Sequence, residues 1–162
     1  MEHPKEYDRE TGETGWAAGA CIAMPAELFH RAGGFDEAFF LYCEDVDLSW
    51  RLRLLGYRLL YRPACPVYHS KRLDSSGKFV PEKTQRYHSA VSDLILAHKW
   101  SNPALEESLL AFYRTCGDGE LRRADAEFKE KRKRGLLPGP IDPEHKVSRF
   151  SDGRYAKHRF FL

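Results

Sequence analysis

The sequence lacks several features that would assign it at once to a common class of protein. Its 162 residues carry 26 Lys and Arg against 24 Asp and Glu, so a net charge of +2 gives no overall field to attract nucleic acid. The longest apolar stretches, such as 52–60 and 91–97, are short and interrupted. A membrane-spanning helix needs about 20 apolar residues, and we expect none here. The first residues also lack the apolar core of a signal peptide, so we expect a cytoplasmic protein.

Cysteine is present but not in a pattern that indicates a disulfide framework. Cys21, Cys43, Cys65 and Cys116 are widely spaced and include no Cys-x-x-Cys pair. We therefore expect reduced thiols. Zinc binding through these residues would require the fold to gather four distant positions.

The remaining composition predicts one α/β core divided into four segments along the chain. Residues 1–14 are polar and aperiodic, which predicts an irregular lead-in. Residues 15–80 alternate apolar runs with glycine and proline, and 81–134 follow the helical period. The last segment, 135–162, is rich in proline and glycine and then in basic and aromatic residues, which predicts an extended tail.

Within the second segment we predict strands and helices in alternation. The apolar run 16–24 is typical of a buried strand, and a short helix beginning near Pro25 ends at Gly33-Gly34. A second helix follows an acidic cluster and ends at Gly56. Short strands are expected at 57–61 and 67–69. Helices are then expected to begin near Glu82, Pro103 and Glu120.

One block of residues points to a particular chemistry. Gly33-Gly34-Phe35-Asp36 is followed by the aromatic pair Phe39-Phe40, by Glu44-Asp45-Val46-Asp47-Leu48, by Arg51, and later by Gly56-Tyr57 and His69. In this order the block, over roughly residues 15–78, resembles the C-terminal, acceptor-side half of family 2 glycosyltransferases of the rhamnosyl and galactofuranosyl transferase type. The resemblance implies the C-terminal portion of a GT-A fold, a short mixed sheet with packed helices, followed here by a helical extension.

The resemblance also implies an activity and a set of site residues. The activity is inverting transfer of a sugar from a nucleotide-sugar donor to a saccharide or lipid-linked acceptor in cell-surface polysaccharide synthesis. An acceptor hydroxyl is a poor nucleophile, so a carboxylate must take its proton. By resemblance Asp45 is that base. The residues implied in acceptor binding, including two acids that could orient the base, are Trp16, Gly19, Phe39, Phe40, Glu44 and Asp47.

The leaving diphosphate of such a reaction needs a cation. In the family Mg²⁺ or Mn²⁺ is held mainly by an earlier Asp-x-Asp motif, and a later His, matched by His69, often completes the site. No Asp-x-Asp motif precedes Trp16, and Asp45-Val46-Asp47 belongs to the acceptor motif. We therefore expect weak or absent metal binding by this chain alone, and a separate donor-binding half as its partner.

Several simpler interpretations stay open. The three acids could serve only to stabilise a helix start, and the aromatic residues could belong to the core. The chain could be a non-catalytic saccharide-binding module or a remnant, or an unrelated domain with a metal site at Asp45, Asp47 and His69. Basic residues near 129–134 fit a solvated helix face. Together with the tail they also fit peripheral contact with the inner face of an anionic membrane.

Overall fold

A computed structural model describes residues 7–68, 73–77, 80–150 and 155 of the chain. Within these residues two short strands and five helices form one α/β unit. Their bounds are β1 Glu13–Thr14, α1 Ala26–Arg31, α2 Glu44–Leu54, β2 Leu59–Leu60, α3 Lys83–Lys99, α4 Pro103–Thr115 and α5 Gly119–Lys133. The predicted α/β class, with a short sheet, packed helices and a helical C-terminal extension, is confirmed.

The sheet joins the end of the lead-in to the chain that follows α2. Strands β1 and β2 are antiparallel, with Glu13 opposite Leu60 and Thr14 opposite Leu59. The prediction that 1–14 is irregular is wrong at this end. The side chain of Asp8 accepts a 2.7 Å hydrogen bond from the N–H of Thr11, and this Asx-type turn folds the chain back into the ladder.

Segment 16–24, which we expected to be a buried strand, is an irregular loop that is largely exposed around Gly19. Among the described residues no strand pairs with it. Its turn is closed by the N–H of Cys21 donating to the carbonyl of Ala18 at 3.1 Å. The strand predicted at 67–69 is also absent at Val67 and Tyr68, and His69 lies outside the described residues.

Glycine ends the first two helices, as predicted. Gly33 follows α1 with φ +81° and Gly56 follows α2 with φ +85°, in the left-handed region that glycine adopts without a steric cost. The acids Glu44, Asp45 and Asp47 lie in the first turn of α2. The prediction that the acidic cluster crowds a helix N-terminus is therefore confirmed.

Helices α3, α4 and α5 pack against one another and share a core with α2. Their starts follow from capping: Glu82 and Gln85 form a capping box, Asn102 accepts from the N–H of Leu105, and Asp118 caps α5. None of the helices seen in the described residues is both long and apolar enough to span a membrane. The largest fully buried apolar side chains are Trp50, Trp100, Tyr113, Phe128, Leu48, Leu94, Ile95, Leu96 and Leu121.

The described part of the tail folds back onto this core, so the prediction of an extended tail is wrong there. The N–H of Ile141 donates to the carbonyl of Lys99 at 2.7 Å, and an Nη atom of Arg53 on α2 donates to the carbonyl of Val147 at 3.0 Å. The Phe150 ring lies 5.2 Å from that of Trp50. Apolar side chains spaced along the tail bury their surface against the core. The proline content of the tail had indicated an extended segment instead.

Candidate acceptor site

The loop that leads into α2 has an unusual backbone. Tyr42 and Cys43 both have positive φ, at 71° and 64°, a conformation that residues other than glycine seldom adopt. Two contacts from α3 hold the loop in place. The hydroxyl of Ser92 donates to the carbonyl of Leu41 at 2.8 Å, and the Cys43 thiol donates to Asp93 at 3.6 Å. Such strain persists where surrounding structure enforces it, and it is concentrated at functional sites.

Asp45 follows this loop and faces the irregular segment 16–24. Its Oδ2 accepts from the N–H of Gly19 at 2.7 Å, and its Oδ1 accepts from the N–H of Val46 at 2.8 Å. One turn later the hydroxyl of Ser49 accepts from the N–H of Ala17 at 3.0 Å. Two residues four apart on α2 therefore fix the loop that covers the start of the helix. Asp45 is half-buried, so part of the residue remains open to solvent.

Asp47 has a different environment, because it is completely buried. Its Oδ2 accepts from Nε of Arg51 at 2.7 Å. Its Oδ1 contacts Nζ of Lys99 at 2.7 Å and accepts from Nε1 of Trp100 at 3.0 Å. A buried carboxylate is tolerated only where donors and opposite charges compensate it. The structure therefore shows both carboxylate oxygens of Asp47 engaged by donors within the protein.

Lys99 extends this network to the Gly-Gly-Phe-Asp turn. Its Nζ lies 2.6 Å from Asp36 Oδ2, and Arg51 donates to the carbonyls of Ala32 and Gly34. Burial raises the pKa of Asp36, but hydrogen bonds from Lys99 and a backbone N–H, with the Lys99 and Arg51 charges, hold it below its ordinary value. We did not predict a role for Lys99, which lies 63 residues from Asp36 along the chain.

The three aromatic residues predicted for the acceptor cleft differ in how much of each residue is exposed to solvent. Phe39 is 5% exposed and lies in the core, as the simpler interpretation allowed, whereas Phe40 is 80% exposed. Trp16 packs partly against the core, with its ring 5.6 Å from that of Tyr155. Glu44 is the first residue of α2 and is half-buried. Gly19 and Phe40 are thus the exposed members of the predicted site, whereas Asp45, Glu44 and Trp16 are half-buried.

The described residues do not fit a metal ion. No group of three or more His, Cys, Asp and Glu side chains is gathered among 7–68, 73–77, 80–150 and 155. Both oxygens of Asp47 are bonded to protein donors, which argues against a shared cation with Asp45. His69 lies outside the described residues, so its predicted role as a ligand stays a prediction. None of the four cysteines, all of which lie in the described part of the chain, is joined in a disulfide.

The basic residues near 129–134 are largely paired within and beside α5. Lys129 lies 2.6 Å from Asp125, Lys131 lies 3.5 Å from Glu127, and Arg132 pairs with Glu106. Pairs at i, i+4 on an exposed helix are a common feature of solvated surfaces. This arrangement favours the solvated-face interpretation of the run.

Comparison with known proteins finds sequence relatives but no matching family model and no matching solved structure. The chain is 38% identical over 96 residues to the rhamnosyltransferase WbbL of Escherichia coli K12. It is 44% identical over 76 residues to an N-acetylglucosaminyl-diphospho-decaprenol L-rhamnosyltransferase of Mycobacterium tuberculosis. It is also 30% identical over 77 residues to the O-antigen biosynthesis protein RfbC of Myxococcus xanthus.

These matches cover part of each protein. They take in 59%, 47% and 44% of this chain, and 36%, 24% and 6% of the respective relatives. The chain therefore spans about a third or less of the length of the curated relatives it matches. The resemblance to rhamnosyltransferases inferred from the acidic motif and its flanking residues is confirmed.

Proposed function

We propose that this chain is the acceptor-side part of an inverting glycosyltransferase with a GT-A fold, acting in cell-surface polysaccharide synthesis. The similarity to two rhamnosyltransferases supports this proposal. The observation that carries it is the position of Asp45: a partly exposed carboxylate at a helix N-terminus, fixed by the N–H of Gly19 at 2.7 Å. An ionised carboxylate only accepts hydrogen bonds, and the positive end of the helix dipole favours its charge.

In the proposed reaction Asp45 is the general base. It takes the proton from an acceptor hydroxyl as that oxygen bonds to the anomeric carbon of the donor sugar. The bond from that carbon to the nucleoside diphosphate breaks on the opposite face, and the diphosphate leaves with the electron pair. Such a base typically contributes about 10²- to 10⁴-fold to the rate. Asp47 acts indirectly, since its bonds to Arg51 and Lys99 hold α2 in place.

The donor, nucleotide and any Mg²⁺ or Mn²⁺ are assigned in this proposal to a separate donor-binding half. One depression on the described surface supports the proposal of such a partner. An open apolar depression of about 420 Å³ lies beside α1, lined by Ile22, Ala23, Met24, Ala26, Phe29, Phe35 and Leu48. Larger exposed apolar patches commonly mark protein–protein contacts, and we propose that the donor-binding half packs over this depression. We further propose that the acceptor is saccharide or lipid-linked and that the protein acts at the cytoplasmic side of the membrane.

The test is transfer by the transferase reconstituted with its donor-binding half. The donor is a nucleoside-diphosphate rhamnose, and the acceptor is an N-acetylglucosaminyl diphospholipid, following the name of the mycobacterial relative. We expect Asp45→Asn to reduce turnover about 100-fold or more. Saccharide binding should remain, because an Asn oxygen can still accept from the N–H of Gly19. Glu27→Gln, which neutralises an exposed acid in the first turn of α1, is the matched control.

The second candidate is a non-catalytic saccharide-binding module. It is favoured by the 80% exposed ring of Phe40, an open aromatic face that could contact a saccharide without any reaction. If wild type binds saccharide but neither it nor Asp45→Asn supports transfer with a donor-binding half, this candidate replaces the first. Full transfer activity in Asp45→Asn would show that Asp45 is not the general base.

A further inference from the structure

A short stretch of backbone along one face of α2 connects Ser49 to Asp45. The hydroxyl of Ser49 accepts from the N–H of Ala17 at 3.0 Å, and two residues later the N–H of Gly19 donates to Oδ2 of Asp45 at 2.7 Å. The two acceptors lie four residues apart on the helix, so they project from the same face. The backbone from Ala17 to Gly19 is therefore attached at two points to one turn of α2.

Ser49 provides the buried attachment of the two. It is 1% exposed, whereas Gly19 is exposed and Asp45 is half-buried. A hydrogen bond in the interior is stronger than one at the surface, where water competes for both partners. We therefore expect the bond to Ser49 to be the more persistent attachment, and the Gly19 bond to depend on it.

The segment that Ser49 holds is irregular. No strand of the described chain pairs with 16–24. Without a ladder of backbone hydrogen bonds, the position of this segment depends on the side chains that accept from it. Removing the Ser49 hydroxyl would leave the Ala17 N–H without this acceptor, and the backbone at Gly19 should become more mobile as a result.

The Gly19 bond in turn fixes how Asp45 presents its carboxylate. Oδ1 accepts from the N–H of Val46 within α2 at 2.8 Å, and Oδ2 accepts from Gly19. Two backbone N–H groups from different segments thus set the orientation of the carboxylate. A general base must lie within hydrogen-bond reach of the proton that it takes, and a misplacement of about 1 Å can lower a rate about 100-fold. A residue that fixes Oδ2 therefore affects the rate without contacting the substrate.

We propose that Ser49 is a positioning residue for the general base, acting through the N–H groups of Ala17 and Gly19. This inference rests on the proposed function, in which Asp45 takes the proton of the acceptor hydroxyl. Ser49 itself does not contact the reacting atoms. Its loss lowers turnover and leaves donor affinity unchanged, because only the orientation of the base is altered.

The first measurement needs no turnover. NMR of the isotope-labelled chain follows the Gly19 amide proton as the pH is lowered from about 7 to about 3, the range in which Asp carboxyl groups titrate. An amide proton that is bonded to a carboxylate shifts when the carboxylate is protonated, and Asp45→Asn should abolish this shift. We expect Ser49→Ala to reduce the shift by about half or more. It should also speed hydrogen exchange at Gly19 by about 2- to 10-fold, the equivalent of one hydrogen bond.

Three further variants separate positioning from a general loss of stability. Ser49→Cys nearly keeps the size of the side chain, but a thiol is a weak acceptor, so this variant should behave like Ser49→Ala without leaving a cavity. Ser49→Thr retains the hydroxyl and should restore the Gly19 shift. Ser101→Ala is the matched control: it removes a 2.7 Å bond from a serine hydroxyl to the carbonyl of Ile141 and should leave the Gly19 amide unchanged.

The second measurement is transfer by the transferase reconstituted with its donor-binding half. We expect Ser49→Ala to lower kcat by about 2- to 10-fold with an unchanged KM for the donor. An unchanged Gly19 amide in both Ser49→Ala and Ser49→Cys, the same Gly19 change in Ser101→Ala, or a full kcat in Ser49→Ala would each overturn the positioning role while Asp45 remained the base. Full activity in Asp45→Asn would instead refute the proposed function, and the positioning role with it, even where the Gly19 amide responds to Ser49.

Discussion

Replacing Lys99 by Met tests whether the buried ion network holds the candidate site together. The side chain of Lys99 is 7% exposed, and its ammonium group lies 2.6 Å from Asp36 and 2.7 Å from Asp47. Methionine keeps most of the apolar stem but removes the charge. Asp47, with no exposed surface, would then retain Arg51 and the Trp100 N–H as its partners.

The magnitude follows from the burial of Asp47. Removing one partner of a buried ion pair typically costs about 3–5 kcal/mol. Because Arg51 remains 2.7 Å from the same carboxylate, we expect the lower end, about 3 kcal/mol. For a chain of this size each kcal/mol lowers the melting temperature by about 2–4 °C, so the expected decrease is about 6–12 °C.

The assay is chemical and thermal denaturation of four proteins: wild type, Lys99→Met, Asp47→Asn and the double variant. We expect a coupling free energy above about 1 kcal/mol, because Asp47→Asn removes the charge that Lys99→Met leaves uncompensated. Lys129→Met is the matched control, since Lys129 is 46% exposed in its pair with Asp125 and should cost less than about 1 kcal/mol. A Lys99→Met protein as stable as the control, or additive effects in the double variant, would refute the reasoning.

Two further predictions concern the tail. Asp142 is 8% exposed, and burial raises its pKa, but hydrogen bonds from Ser148, Val147 and Lys146 hold that pKa below its usual value. A carboxyl group whose pKa is lower in the folded state stabilises the fold at a pH above its unfolded-state pKa. That stability is lost as the pH falls through the folded-state pKa. Asp142→Asn should therefore destabilise the chain by about 1–3 kcal/mol near pH 7, with a difference that shrinks below about pH 4; denaturation at both pH values measures it, and a pH-independent difference would contradict the cause. Arg53→Met removes the 3.0 Å hydrogen bond to the Val147 carbonyl and should increase the rate of amide hydrogen exchange in 141–148 more than in α3. An equal increase in both regions would show that Arg53 does not hold the tail against α2.

The candidate site was only partly predictable from the sequence. The acidic cluster at the start of α2 followed from local signals, because an apolar stripe and a glycine stop define that helix within a dozen residues. The separation of Phe39 from Phe40 did not follow, since both residues have the same side chain. Phe39 packs in the core and Phe40 does not, and the positive φ values of Tyr42 and Cys43 occur in a loop that Ser92 and Asp93 of α3 contact.

What the sequence determined by itself is local: helix starts at capping residues, helix ends at glycine, the acidic turn and the order of motifs that relates the chain to rhamnosyltransferases. Tertiary structure decided which groups meet. Lys99 reaches Asp36 and Asp47, and the tail reaches Trp50, across separations that no periodic pattern in the sequence encodes. Segment 16–24 shows the same limit, because an apolar run becomes a strand only where a neighbouring strand accepts its backbone hydrogen bonds. In the described chain, Asp45 and Ser49 accept bonds from that backbone instead.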